Sequence, residues 1–241
     1  MRPRGGPAPR LKKPPLVRQV TTLWDYPSQH YGDGDEQQGS KHYRGATPSY
    51  VIWNVVQRYS APGETVLDPF CGSGTTLDVC RDTGRVGVGF DVAPTREDIG
   101  QADARSLPLK QHKVDLVFMD PPYADNLEYS DDPRCIGKLK ANGQYQRAMK
   151  LAIAESARVL RPERVLAIYV CDVLHKARTF HALGFELFRL AEECKLTPID
   201  VVAVVRHNRT LEQGNYRKAA DEQGFFLRGF NYLLLFRSPR A

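Results

Sequence analysis

Residues 64–92, ETVLDPFCGSGTTLDVCRDTGRVGVGFDV, change character three times over a short span. ETVLD is an apolar run that ends in an acid, CGSG is a turn, the residues from about Ser73 to Thr83 have helical character, and RVGVGFDV is again strand-like. Strand, glycine turn, helix and strand in that order predict a crossover unit of a mainly parallel sheet. Working outward, VDLVFMD (114–120) is a continuous apolar run of the kind buried on both faces. A helix is expected over about Tyr145–Leu160, stopped by Pro162, and then a strand in RVLAIYVCD. Further on, LHKARTFHALG is expected as a helix closed by Gly184, and FELFRLA, IDVVAVVR and NYLLLFRS as strands. Upstream, Val51, Ile52, Val55 and Val56 recur at helical spacing in SYVIWNVVQRY. A short helical turn is expected at Thr95–Asp98, and Thr21–Pro48 as an ordered loop segment. Together these place the chain in the α/β class, with helices on both faces of a mostly parallel sheet.

A chain of 241 residues with 41% hydrophobic content suits one substantial domain, expected over residues 21–241, after a disordered basic, proline-rich tail over residues 1–20. The net charge of +6 has a location. Arg2, Arg4, Arg10, Lys12, Lys13 and Arg18 have no acid among them in the tail; removing those six from 34 basic residues leaves 28, equal to the 28 acids. Basic arms can neutralise nucleic-acid phosphates, while a solubilising extension has the same composition. The tail lacks the apolar core of a secretory signal, and no stretch is apolar for long enough to span a bilayer. Cys71, Cys80, Cys135, Cys171 and Cys194 show no CxxC pair and no metal-ligand spacing, so a reduced, cytoplasmic protein without a metal is expected.

The turn after Asp68 carries Gly72 and Gly74, which let a ligand approach the backbone, and the helix start offers open amides. It lacks the lysine of a phosphate loop and does not have GxGxxG spacing. Asp91 ends the next strand, where an acid can bond both hydroxyls of a ribose. Asp103 stands where the third strand should end, in reach of an adenine amino group. Three acids at successive strand ends beside one glycine turn describe an adenosyl pocket.

DPFCGSGTT (68–76) followed by DPPY (120–123) resembles the cofactor and catalytic motifs of the S-adenosylmethionine-dependent DNA amino-methyltransferases, which modify exocyclic amines of adenine or cytosine. The resemblance implies a class I, Rossmann-like methyltransferase fold with a seven-stranded sheet whose last strand, NYLLLFRS, is antiparallel. It implies S-adenosyl-L-methionine as cofactor, held by Asp68, Phe70, Gly72, Ser73 and Gly74, with Pro69 and Thr75 in the same run and Asp91 on the ribose. KHYRGATP resembles the segment that closes over the methionine end, which adds Lys41, His42 and Thr47.

The resemblance also gives DPPY a chemical purpose. An exocyclic amine on a base is a poor nucleophile because its lone pair is delocalised into the ring. Acceptors for its two N–H bonds, the Asp120 carboxylate and the Pro121 carbonyl, draw the nitrogen toward a tetrahedral state. Pro121 and Pro122 fix the backbone that holds those acceptors, and Tyr123 offers a stacking face for a base turned out of its helix. DPPY is the form met most often in adenine N6 enzymes, so adenine in DNA leads. Cytosine N4 in DNA, an RNA base and a non-catalytic cofactor-binding subunit remain open. The glycine turn precedes DPPY here, unlike the subgroup in which the DPF-GSGTT wording is most typical, and no separate base-reading part follows Tyr123. Sequence reading then falls to insertions at 124–143 and 206–229, the second carrying Arg206, His207, Arg209, Arg217, Lys218 and Arg228 with Tyr216, Phe225 and Phe226. A single small domain without a reading module is compatible with a homodimer.

Overall fold

The computed structural model describes residues 15–32, 37–40, 43, 45–124, 130–141, 143–175, 179–207, 211 and 213–240. The chain runs β1 (Leu23–Trp24), α1 (Ser49–Tyr59), β2 (Thr65–Asp68), α2 (Thr75–Asp82), β3 (Val86–Asp91), β4 (Ile99–Gln101), β5 (Val114–Met119), α3 (Gln144–Val159), β6 (Leu160–Val170), β7 (Val173–Leu174), β8 (Phe180–His181), α4 (Leu183–Glu193), β9 (Thr197–Val205), α5 (Gly214–Gln223) and β10 (Phe230–Arg237). The main sheet has eight strands in the order β1-β9-β10-β6-β5-β2-β3-β4. Only β10 is antiparallel, inserted between β6 and β9. NYLLLFRS is thus the antiparallel last strand the resemblance implies. The eighth strand, one more than expected, is β1, which comes from the presumed loop segment and pairs in parallel with β9 through Leu23↔Ala203 and Trp24↔Val204.

Alternate residues of each central strand serve opposite faces, as the period of a strand requires. Leu67, Val117, Met119, Leu166 and Ile168 pack under α3 and α4. Val66, Leu116, Phe118, Val165 and Ala167 pack against α1, whose Val51, Ile52, Val55 and Val56 are all fully buried. Leu16 joins this second layer, Gln19 N–H donates to Asn54 Oδ1 at 2.7 Å, and the Arg58 guanidinium donates to the Gln19 carbonyl, so residues at the end of the expected tail lie along α1.

Three local expectations are corrected. The helix expected over 174–184 is not formed among its described residues: Val173–Leu174 and Phe180–His181 pair as an antiparallel hairpin. FELFRLA, expected as a strand, is helix α4. Its apolar residues fit either period over so short a run, but Leu183, Leu187, Leu190 and Ala191 are all buried at helical spacing. Gly184 opens α4 and closes no helix; a side chain there would meet the Tyr232 ring at 2.5 Å. Thr95–Asp98 forms no helix, because its side chains latch the glycine turn: Thr95 Oγ1 donates to the Gly72 carbonyl (2.8 Å), and Arg96 Nη1 donates to the Ser73 carbonyl (3.3 Å) and to Asp78 (2.9 Å).

At the end of β5 away from that turn, Asp115 is buried, accepts the Thr65 N–H at 3.0 Å and pairs with Arg161 at 2.5 Å. Asp115→Ala removes the charge and leaves the Thr65 N–H without its acceptor. The expected cost is about 2–3 kcal/mol, read as a lower urea midpoint at unchanged slope; an unchanged midpoint would show that the pair contributes nothing net.

Candidate active site

From β2 the chain builds β3 and β4 on one side, then crosses back to place β5 on the other. A reversal of this kind opens a crevice at the carboxyl ends of the two flanking strands. Asp68 ends β2 and Asp120 follows β5, so the reversal puts the two acids at one opening.

Asp68 organises the turn. Oδ1 accepts the Phe70 N–H at 2.9 Å and Oδ2 accepts the Thr76 hydroxyl at 2.5 Å, which draws the start of α2 back onto the strand end. Gly72 (φ +50°) and Gly74 (φ +81°) adopt left-handed backbone. A side chain at Gly72 would also lie 2.9 Å from the Tyr43 ring, so close approach as well as conformation requires glycine there. The Gly72 N–H donates to Asp91 Oδ2 at 2.9 Å, and Ala93 N–H to Asp91 Oδ1 at 2.9 Å, which fixes the third acid against the turn. Tyr43, Phe70, Gly72, Thr75, Asp91 and Asp120 are among the walls of a narrow cavity of about 60 Å³.

Asp103 lies just past β4. Arg105 takes its carboxylate from two sides, Nε at 2.9 Å and Nη2 at 2.6 Å, and holds its pKa below the usual range. It lines a small hollow of about 30 Å³ with Phe70, Asp91 and Pro122, covered by Arg134, Cys135 and Ile136 of the 124–143 insertion. Of the residues expected over the methionine end, Thr47 reaches the site, its hydroxyl donating to Asp120 Oδ2 at 2.5 Å. Lys41 and His42 lie outside the described residues.

Asp120 belongs to two cavities at once. Besides the narrow one it lines a larger cleft of about 590 Å³, together with Tyr123, Tyr169, Arg206 and Asn231. Tyr123 Oη donates to Asp120 Oδ1 at 2.9 Å and receives the amide of Asn231 at 3.2 Å. The Pro122 carbonyl accepts the Ala124 N–H at 3.1 Å, whereas the Pro121 carbonyl accepts no hydrogen bond among the described residues. Ala124 follows with φ +50°, an uncommon conformation for a residue with a side chain, and it turns the chain away directly after the motif.

Asn231, Tyr43 and Tyr169 were not legible as site residues. Asn231 begins a strand that reads only as core, and it meets Tyr123 across 108 residues of chain. Residues of the 206–229 insertion do gather at the cleft: Arg206, His207, Phe225, Phe226 and Arg228 line it. Among the described residues the five cysteines are free and no group of side chains could hold a metal ion.

The electrostatics suit a cationic ligand. Burial pushes the carboxyls of Asp68 and Asp120 up to about 7, and each is raised further by a neighbouring acid, Asp91 for Asp68 and Asp68 for Asp120. A sulfonium or ammonium placed among Asp68, Asp91 and Asp120 would relieve that repulsion, and the turn at Gly72 leaves room for it beside the backbone. S-adenosylmethionine carries both cations, so the residues present fit it.

These raised values bear on stability. The folded state holds protons that the unfolded chain releases above pH about 4, so the two acids make the ligand-free protein less stable as pH climbs to about 7. Asp120→Asn should flatten part of that fall and raise the thermal midpoint above wild type at about pH 8, with little difference at about pH 5. Scanning calorimetry at both pH values checks this; equal midpoints at about pH 8 would mean that Asp120 titrates normally.

Comparison with known proteins agrees with the site. The family model described as DNA methylase, N6_N4_Mtase, matches residues 8–102, the part that carries the glycine turn. The type II methyltransferase M.ScaI of Streptomyces caespitosus is 33% identical over 102 residues, 41% of this chain, so that the chain spans only 34% of that relative's length. Among solved structures, the [4+2]-cyclase SpnF covers 88% of this chain (TM-score 0.55, 16% identity), and a methyltransferase of Methanosarcina mazei covers 78% of this chain and 98% of its own (TM-score 0.51, 13% identity). One of these is named for a cyclisation and the other for methyl transfer, so their likeness identifies the S-adenosylmethionine-dependent class I methyltransferase fold and leaves the reaction to the side chains. The match to the DNA methylase model thus lies within residues 8–102, under half of the chain, and is a likeness of that part.

Proposed function

We propose that this protein is an S-adenosylmethionine-dependent methyltransferase acting on the exocyclic amine of a nucleobase in DNA, adenine N6 first. The observation that carries this is Asp120, among the described residues the one carboxylate lining both the acidic glycine-turn cavity and the larger cleft. When bound, the cofactor supplies an electrophilic methyl group on a sulfonium. Asp68, the turn at Gly72 and Asp91 hold it in the narrow cavity, and the hollow at Asp103 receives its adenine end.

The base enters the larger cleft, where Tyr123 and Tyr169 provide ring faces. Its amine donates one N–H to Asp120 and the other to the Pro121 carbonyl, and the two acceptors shift the nitrogen lone pair out of conjugation and toward the narrow cavity. An amine held in this way would be poised to accept the methyl group that the cofactor would supply, and the hydrogen bond to Asp120 would give the departing amine proton an acceptor. Thr47 and Asn231, through Tyr123, hold Asp120 in place before substrate arrives. Such prior positioning is the largest part of what a site of this kind contributes. Asp in place of Ser at the head of the 120–123 motif supports adenine over cytosine, and the match to a DNA methylase family supports DNA.

Labelled S-adenosylmethionine offered to duplex DNA, single-stranded DNA and total RNA tests the assignment. N6-methyladenine in DNA, identified by mass spectrometry, is expected; N4-methylcytosine would correct the base, and label in RNA alone would overturn the substrate. Asp120→Ala should lower transfer by at least about a hundredfold while cofactor affinity changes by less than about threefold, since Asp120 is only one of three acids around the cation. Equal loss of both would mean that Asp120 serves the cofactor alone.

A further inference from the structure

The lip of the larger cleft holds a phenylalanine in water. Phe226 is 85% exposed, the most exposed aromatic residue among those described. Most of the free energy that burial of such a ring would supply goes uncollected in this conformation. The backbone around it is nevertheless pinned. Phe225 N–H donates to the Ala220 carbonyl at 3.0 Å as α5 ends at the left-handed Gly224, and Arg206 N–H donates to the Gly229 carbonyl at 2.9 Å. Between these, Arg228 Nη2 donates to the carbonyl of Phe226 itself at 2.6 Å, while its guanidinium lies over the Phe180 ring, 5.3 Å from the centroid. A ring fixed by its backbone and left exposed has the form of a part made to enter something else.

The neighbourhood says what that is. Arg206, His207 and Arg228 line the cleft with Phe226, and Arg217 and Lys218 lie on the adjoining α5. Segment 206–229 carries Arg206, Arg209, Arg217, Lys218 and Arg228 against Glu212, Asp221 and Glu222. Arg206 and Arg228 lining the cleft beside an exposed apolar ring fit stacked bases flanked by phosphates. The cleft admits a base to Asp120 only once that base has left its stack, and the vacated space is then open to a side chain at the lip.

Building on the methyltransferase assignment, we propose that Phe226 is a wedge: its ring enters the duplex beside the target and occupies the stacking position of the extruded base, while Arg228 holds it there and pairs with backbone phosphate. Phe226 is a positioning residue, and the energy it supplies matters only when the target must be taken from an intact stack.

The test uses a synthetic duplex carrying the site methylated in plasmid DNA, and the same duplex with an abasic position opposite the target, where unstacking is already easy. Phe226→Ala should reduce kcat/KM on the intact duplex by about tenfold or more, and on the abasic duplex by less than about twofold. Phe226→Trp should restore activity on the intact duplex, and the thermal midpoint should not move in either variant. Equal losses on the two duplexes, or no loss on the intact one, overturn the wedge. A concentration-dependent dimer in sedimentation that Phe226→Ala dissociates also overturns it, since the ring would then serve a second copy. Failure of the wild type to methylate any DNA overturns the methyltransferase assignment along with the wedge, whereas wild-type activity with equal losses removes the wedge alone.

Discussion

The chain reverses direction of travel across the sheet between β2 and β5, and the site follows from that reversal. Helices that follow β2 and β5 depart to opposite sides, which leaves the carboxyl ends of the two strands uncovered. Asp68 and Asp120 stand at those ends. One is bound into the glycine turn by Phe70 and Thr76, the other is held by Thr47 and Tyr123; burial raises the proton affinity of both, with Asp91 adding to that of Asp68 and Asp68 to that of Asp120. Remove the reversal and neither the narrow cavity nor the larger cleft has its shared wall.

Placing carboxylates so close together is unfavourable for the fold by itself. The same burial that lifts Asp68 and Asp120 to about 7 makes their environment attractive to a cation and strengthens their hydrogen bonds to polar ligands. Asp115, at the other end of β5, shows the alternative: its carboxylate has Arg161 and Arg164 within 2.5 and 3.4 Å, and it lines none of the cavities of the site. The two ends of one strand thus divide between structure and chemistry according to whether an acid meets a fixed cation of the chain.

The larger cleft is assembled from distant segments. Pro48 precedes α1, Tyr123 follows β5, Arg206 follows β9, Phe226 lies between α5 and β10, and Asn231 belongs to β10 itself. β10 matters here beyond its core residues, because its antiparallel entry between β6 and β9 carries Asn231 to Tyr123 and the preceding loop to the lip. Arg206, His207, Phe225, Phe226 and Arg228 of the 206–229 insertion share the cleft through that strand's position.

The amino-acid sequence by itself determined the class of fold, the glycine turn and the DPPY motif, because each depends on neighbours within a few residues: apolar periodicity, glycine backbone freedom, and prolines that hold a strand end. It also marked Asp68, Asp91 and Asp103 as acids at strand ends, and all three lie in or beside the cavities. It misassigned α4, since FELFRLA satisfies both strand and helix periods until burial of Leu183, Leu187, Leu190 and Ala191 selects one. It missed β1, two residues whose strand identity exists only through pairing with β9. The bonds of Thr47 and Asn231, across 73 and 108 residues of chain, were decided by tertiary structure alone. No local pattern encodes a partner that distant; the sheet order brings those side chains within hydrogen-bond reach.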